Sequence, residues 1–158
     1  MAAENQSEVV KYWKEKEERL GGKIEYQSYA VLIGESGSGQ FNGRGGLGFV
    51  IGGRFYFEDF EKQNALMALF NRKDSDYEKT ELSFPLSDIR GIRKVSEKWG
   101  KRCVEDDQNE QAAPELKGLP AVFIRGYYLI QIKDRPSLVM EIMEIEKLME
   151  MIPQDETD

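Results

Sequence analysis

Six basic residues fall within a short stretch of this otherwise acidic chain, and they are its first candidates for chemistry. The stretch contains a single acid, Glu97. The candidate anion-binding residues are Arg90, Arg93, Lys94, Lys98, Trp99, Lys101 and Arg102. Such a patch can bind lipid phosphate headgroups at about 1 kcal/mol per base, with the tryptophan at the membrane interface. In the alternative, which the sequence favours, the bases form a solvated face and pair with the acids of residues 105–115.

A glycine-rich stretch, VLIGESGSGQF, comes close to a phosphate-binding loop. Gly34 and Gly39 occupy the two glycine positions of G-x-x-x-x-G-K-[ST] after a predicted strand. Gln40 stands where the lysine belongs and Phe41 where the magnesium-binding hydroxyl belongs, so both residues that carry the chemistry are missing. The stretch is therefore predicted to be a flexible hairpin loop, and nucleotide binding is only an alternative.

The chain contains no histidine, which removes the commonest general base, the histidine-dependent nucleophile pairs and every histidine metal site. Its single cysteine, Cys103, has no partner for an internal disulfide and is predicted to be a simple free thiol in a reducing compartment. Neighbouring carboxylates such as Asp106 and Asp107 lie in polar runs and are assigned no catalytic role. The sequence therefore predicts a protein that is not an enzyme and that needs no cofactor or metal.

Length and charge predict one acidic globular domain. The 158 residues are enough to bury a hydrophobic core without disulfides or metals. A formal net charge of -7 repels polyanions at long range, so general affinity for nucleic acid is not expected. The N-terminal residues have no apolar leader pattern, and no apolar run approaches the roughly 20 residues that span a bilayer. The protein is predicted to be cytoplasmic.

The best-defined local structure is the stretch GLGFVIGGRFYFEDF at residues 46–60. Two apolar runs are joined there by Gly52 and Gly53, and both central residues of a type I′ turn need a positive φ, which glycine adopts without steric penalty. The stretch is therefore predicted to be a β-hairpin.

Runs of β-branched, aromatic or alternating apolar residues predict further strands at residues 24–33, 65–70, 82–86 and 121–132. Pro85 cannot donate a hydrogen bond to a neighbouring strand, so its strand is predicted either to lie at a sheet edge or to be broken at Pro85. The last run is either one long strand or a hairpin broken at Gly126.

Two helices are predicted, one at each end of the chain. Residues 4–20 lack glycine and proline and carry ion pairs at i,i+4, and Gly21 and Gly22 end the helix. The second helix spans residues 136–152, with Asp134 as its cap and Pro153 as its stop. One face of this helix collects Leu138, Ile142, Ile145, Met149 and Ile152, which predicts a lid on the sheet.

The same patterns divide the chain into three parts. Residues 1–22 form an N-terminal helical extension, residues 23–152 the domain itself, and residues 153–158 an acidic tail. Within the domain, the acidic segment at about 99–118 is predicted to be an exposed, mobile insertion.

Three segments resemble a known family. GRGGLGFVIGGRFYFED resembles the β-hairpin of GRAM and related bacterial pleckstrin-homology-like (PH-like) domains, and FPLSDIRGIRKV resembles the segment that follows it. AVFIRGYYLIQI and the helix at 136–152 are similar to the closing strands and the capping helix. The resemblance implies an α+β fold, a PH-like antiparallel β-barrel or sandwich of about seven strands capped by a C-terminal α-helix, with an additional N-terminal helix.

The predicted function is that of a non-catalytic binding module of PH-like type. It is expected to dock a protein or peptide, since open sheet edges in such barrels accept an added strand. The alternative is peripheral association with anionic lipid headgroups through residues 90–102. A small-molecule enzyme and a degenerate phosphate-loop nucleotide binder are the remaining alternatives.

Overall fold

A computed structural model of the chain describes residues 2–59 and 81–153. The side chains of residues 2–9 and 81 are not part of that description. The predicted strand at residues 65–70 and all of the acidic tail beyond Pro153 lie outside the described residues.

The described residues form an α+β fold built on one curled, antiparallel half-barrel sheet of seven strands. The strands are β1 (Ile24–Glu35), β2 (Arg44–Ile51), β3 (Arg54–Asp59), β4 (Glu81–Pro85), β5 (Ile89–Ser96), β6 (Gly126–Ile132) and β7 (Leu138–Ile142). Their order across the sheet is β4-β3-β2-β1-β7-β6-β5. Strand β1 therefore joins strands β2 to β4 on one side of the sheet to strands β5 to β7 on the other, because it pairs with both β2 and β7.

Five α-helices lie in the described part of the chain. They are α1 (Ala2–Leu20), α2 (Glu97–Glu105), α3 (Asn109–Ala112), α4 (Leu119–Phe123) and α5 (Ile145–Met151). One turn of 3-10 helix, Leu86–Asp88, connects β4 to β5. No helix among these residues is both long and apolar enough to cross a lipid bilayer.

Several local predictions are confirmed. Gly52 and Gly53 have φ values of 58° and 73° and form the tight turn between β2 and β3. Helix α1 ends as predicted, because the N–H groups of Gly21 and Gly22 both donate to the carbonyl of Glu17, at 2.9 and 3.1 Å. Strand β4 ends at Pro85 and, among the described residues, pairs on one side only, with β3, as the two alternatives for Pro85 predicted.

The long helix predicted for residues 136–152 is wrong in its first half. Leu138–Ile142 is strand β7, which pairs with β1 and with β6. Because both faces of this inner strand are covered, consecutive residues are apolar, and a short continuous apolar run does not distinguish a buried strand from a helix. Asp134, the predicted helix cap, lies in the turn between β6 and β7 with a φ of 59°. The helix itself is α5, which stops before Pro153 as expected.

The predicted strand at residues 121–132 is correct only from Gly126 onward. Residues 119–123 form helix α4 instead. Gly118, with a φ of +66°, and Pro120 in the first turn begin this helix, in agreement with the preference of proline for that position.

The acidic segment at about 99–118 was expected to be exposed, and this expectation is wrong for its apolar members. Cys103 and Val104 of α2 are fully buried, and Ala113 after α3 is buried as well. Four acids of the segment, Glu105, Asp106, Asp107 and Glu115, are exposed, whereas Glu110 is partly buried.

Two hydrophobic clusters cover the two faces of the sheet. The larger cluster draws on all seven strands, so it fills the inside of the curl, and α5 closes it with Ile145 and Leu148. The smaller cluster lies on the outer face, where Cys103 and Val104 of α2 pack over the sheet.

Helix α1 packs on another part of the outer face. The Trp13 and Phe49 rings meet edge to face with their centroids 5.4 Å apart. Lys16 and Glu58 form a buried ion pair, and the Tyr12 hydroxyl donates to the same carboxylate at 2.8 Å. The N-terminal helix is therefore packed against the sheet.

Met140 and Met143 provide a test of the strand assignment. Met140 is fully buried in β7, whereas Met143 is 73% exposed just after it. Met140→Ala should lower the free energy of unfolding by about 2–5 kcal/mol. Met143→Ala should change it by less than about 0.5 kcal/mol. Urea unfolding followed by circular dichroism measures both, and equal effects would contradict the position of β7.

Glu58 provides a test of how α1 is held. Glu58→Ala leaves the buried ammonium of Lys16 without its carboxylate, and breaking a buried ion pair in this way costs about 3–5 kcal/mol. Glu18→Ala, an exposed acid on the same helix, is the control and should cost less than about 0.5 kcal/mol. Similar unfolding midpoints for the two variants would show that the pair does not hold α1 to the sheet.

Candidate functional site

The basic residues predicted to bind anions divide into two groups. Arg93 and Lys94, on β5, are engaged with the backbone of the chain itself. The Arg93 guanidinium donates to the carbonyl of Ala113 at 2.9 Å and to the carbonyl of Glu110. The Lys94 ammonium donates to the carbonyl of Ala121 at 2.6 Å. These two side chains therefore hold the segment of residues 110–121 in place.

The other predicted bases are exposed. Arg90, Lys98, Lys101 and Arg102 reach solvent, and the Arg102 guanidinium lies 4.9 Å from the centre of the half-buried Trp99 ring. The predicted pairing of this segment with the acids of residues 105–115 is not seen, since no ion pair joins the two groups within residues 81–153. Four of the six bases are thus exposed, and the other two, Arg93 and Lys94, stabilise the fold.

The segment held by Arg93 and Lys94 covers the open edge of β5. The Leu116 N–H donates to the carbonyl of Lys94 at 2.7 Å, as a neighbouring strand would. At the other end of the described sheet, β4 ends in Pro85, which cannot donate a hydrogen bond to an added strand. Covering an edge and placing a proline on it are two ways in which proteins protect sheet edges from added strands.

The glycine-rich loop between β1 and β2 caps helix α2. The N–H groups of Gly37 and Gly39 donate to the carbonyls of Cys103 and Val104, at 2.9 and 2.8 Å, and the Ser36 N–H donates to the carbonyl of Ser137 at 2.8 Å. A phosphate-binding loop needs such N–H groups free for its anion. In this protein they satisfy the carbonyls at the C-terminal end of a helix.

The contacts of Glu110 and Cys103 indicate structural roles for both side chains. The Glu110 carboxylate accepts hydrogen bonds from the hydroxyls of Ser36 and Ser137, each at 2.6 Å. Burial raises the pKa of the Cys103 thiol, and the nearby Glu110 carboxylate raises it further. Because the thiolate is the reactive form, this environment disfavours a nucleophilic role for Cys103, which is a free thiol as predicted.

Helix α4 carries an exposed apolar surface that sequence reasoning missed. Leu119, Val122 and Phe123 are 72%, 74% and 80% exposed, and Ile124 follows them at the end of the helix. These four residues are named here the α4 surface. Ala121 of the same helix is only partly exposed, and its carbonyl accepts a hydrogen bond from the Lys94 ammonium. The signal in the sequence was the Gly118-Leu119-Pro120 start of a helix.

The cations beside the α4 surface are paired with acids. The Arg125 guanidinium lies 3.2 Å from the Glu97 carboxylate and 3.4 Å from that of Glu141. The Lys117 ammonium lies 3.1 Å from the Glu115 carboxylate. Two cations therefore face three acids at the rim of the α4 surface, so neither cation is left uncompensated.

Two open concavities lie elsewhere on the described residues. One, of about 470 Å³, is formed beside α2 by Ile33, Phe41, Gly43, Lys101, Glu105 and Tyr127, and is named here the α2 groove. The other, of about 580 Å³, lies between the start of β1 and α5 and contains Glu25, Glu144, Lys147 and Glu150. No group of three or more acidic or cysteine side chains in the described part of the chain is arranged to hold a metal ion.

No known family model matches this chain, and no curated protein matches it. Its candidate functions therefore rest on the α4 surface, the exposed bases and the α2 groove.

Arg93 and Arg90 distinguish a structural base from an exposed one. Arg93→Ala removes two hydrogen bonds from a charged donor and should lower the free energy of unfolding by about 1.5–3 kcal/mol. Arg90→Ala should change it by less than about 0.5 kcal/mol because the side chain is exposed. Urea unfolding of both variants measures the difference, and a stability loss for Arg90→Ala as large as that for Arg93→Ala would contradict this division.

Proposed function

We propose that this protein is a non-catalytic interaction module that binds a protein partner by placing the α4 surface in an apolar groove of that partner. One observation carries the proposal. Leu119, Val122 and Phe123 lie at positions i, i+3 and i+4 of a helix, and each keeps more than two thirds of its surface in solvent. This spacing is that of a helix recognised in a groove.

The exposure of these side chains is costly for a protein that has no partner. Fully burying a side chain of this size stabilises a complex by about 1.5–3 kcal/mol. Association itself costs an estimated 4–15 kcal/mol in lost freedom, so three such side chains serve as the anchor of an interface and need contacts around them. The pairing of Arg125 and Lys117 with acids gives the anchor a polar rim in which two cations face three acids.

Docking through α4 replaces the edge-strand mode that the resemblance suggested. The carbonyl of Lys94 on the β5 edge already accepts from Leu116, and β4 ends in Pro85, which has no N–H group to donate. An added strand would therefore meet a covered edge at β5 and a proline at β4. The α4 surface can be bound without displacing any segment of the chain, since its side chains are already in solvent.

A protein partner is favoured over an anionic membrane. Lipid headgroups would be attracted by cations beside the apolar tip, but Arg125 and Lys117 are both ion-paired. The chain as a whole carries a net charge of -7. The exposed bases Arg90, Lys98, Lys101 and Arg102 keep the lipid alternative open to test, and the experiment below includes it.

The PH-like architecture is part of this proposal. Seven antiparallel strands followed by a terminal helix support it. The terminal helix has only seven residues, and helices α1 and α2 cover the outer face of the sheet. A PH-like module of this kind would use the inner face for its core and the outer elements for binding.

The test compares three forms of the chain. Val122→Asp/Phe123→Asp disables the α4 surface, and Met143→Asp places a charge at another exposed apolar position as the matched control. A protein captured by the wild type is purified and titrated against all three forms. The α4 variant should bind it about 100-fold more weakly or worse, because two central anchors are lost, while the Met143 variant should bind within about threefold of wild type.

Circular dichroism and urea unfolding of the same variants establish that they are folded. Equal affinity of all three forms for the captured protein would contradict the proposal. A second outcome would also contradict it: wild-type protein binds vesicles that contain anionic lipid more strongly than neutral vesicles, and the α4 variant loses this binding. That outcome would assign the α4 surface to a membrane.

A further inference from the structure

The α2 groove is built like a small-molecule site. Its floor is formed by Ile33 and Tyr127, which are 7% and 8% exposed, and one wall is the half-exposed ring of Phe41. The volume of about 470 Å³ lies within the range of about 300–1,000 Å³ that is usual for ligand sites. Apolar walls combined with a few polar groups are the usual composition of such sites.

Two opposite charges stand at the rim of this groove. Lys101 and Glu105 are one turn apart on α2, and both line the groove. Side chains of opposite charge at i and i+4 can pair with each other along a helix. In this structure neither makes a hydrogen bond or an ion pair with any described residue. Within the described part of the chain, the Lys101 ammonium and the Glu105 carboxylate are therefore both available to a ligand in the groove.

Tyr127 is a fixed part of the groove lining. Its ring is fixed beneath Gly100, where an added Cβ would come within 2.7 Å of the Tyr127 Cδ2 atom. The phenol has no hydrogen-bond partner in the part of the chain that the structure describes. Burial raises the pKa of Tyr127, and Glu97 and Glu141 raise it further, so the hydroxyl stays protonated and able to donate.

From this arrangement we infer that the α2 groove binds a zwitterionic α-amino acid with an apolar side chain. The side chain lies on Ile33 between the rings of Phe41 and Tyr127. The carboxylate meets the Lys101 ammonium, and the α-ammonium meets the Glu105 carboxylate. A purely anionic amphiphile, such as a fatty acid, is repelled by Glu105, and a purely cationic one is repelled by Lys101. This inference is independent of the α4 surface.

Titration calorimetry on the full chain tests the ligand class. The probes are phenylalanine, 3-phenylpropionate, which lacks the ammonium, and phenethylamine, which lacks the carboxylate. Phenylalanine should bind saturably. Each one-charge analogue should bind about tenfold more weakly or worse, because each loses one charge-assisted hydrogen bond.

Variants at the rim test the assigned contacts. Lys101→Met should weaken phenylalanine binding about tenfold and remove its advantage over phenethylamine. Glu105→Gln should weaken it similarly and remove its advantage over 3-phenylpropionate. Lys98→Met, an exposed base on α2 outside the groove, is the matched control and should bind like wild type.

All three substitutions are at exposed positions, so the fold should be retained, and circular dichroism checks this. The inference is overturned if neither phenylalanine nor leucine shows saturable binding at millimolar concentration. It is also overturned if 3-phenylpropionate binds wild type as tightly as phenylalanine does, or if the Lys101 and Glu105 variants bind phenylalanine like the Lys98 control.

Discussion

The open edge of strand β5 is the constraint on which the functional surfaces of this protein depend. An edge strand presents unpaired carbonyl and N–H groups, and proteins cover or blunt such edges. Here the covering segment donates the Leu116 N–H to Lys94, while Arg93 and Lys94 hold its carbonyls. The segment is held to the edge through its backbone groups, and the large apolar side chains of α4 are left in solvent.

A second constraint operates on the outer face of the sheet. Helix α2 covers an apolar cluster there, and its last carbonyls need donors. The glycine loop supplies them through Gly37 and Gly39, which have φ values of 78° and 70° and so adopt a conformation that side chains rarely allow. The same contact brings Phe41 close to α2, and the α2 groove forms between them. One capping interaction thus both stabilises the helix and shapes a cavity.

The division of the basic segment follows from these two constraints. Arg93 and Lys94 lie on β5 beside the covering segment, where their charges satisfy backbone carbonyls. Lys98, Lys101 and Arg102 lie on the exposed side of α2, where they are available to a ligand. Bases that are close in the sequence therefore have different roles, because the chain passes from an edge strand to a surface helix at Ser96. Within the strand, Arg90 is exposed, whereas Arg93 and Lys94 reach the covering segment.

The sequence alone determined the features that depend on neighbouring residues. The Gly52-Gly53 turn, the end of α1 at Gly21 and the end of β4 at Pro85 are local consequences of φ preferences and missing donors. The first two were predicted outright, and the third was one of two predicted alternatives. Tertiary structure decided that Leu138–Ile142 is a strand, since its β1 and β6 partners are distant in sequence and a buried strand has the same apolar run as a helix. It also decided which side chains line the α4 surface and the α2 groove, because both depend on contacts between segments that no local pattern specifies.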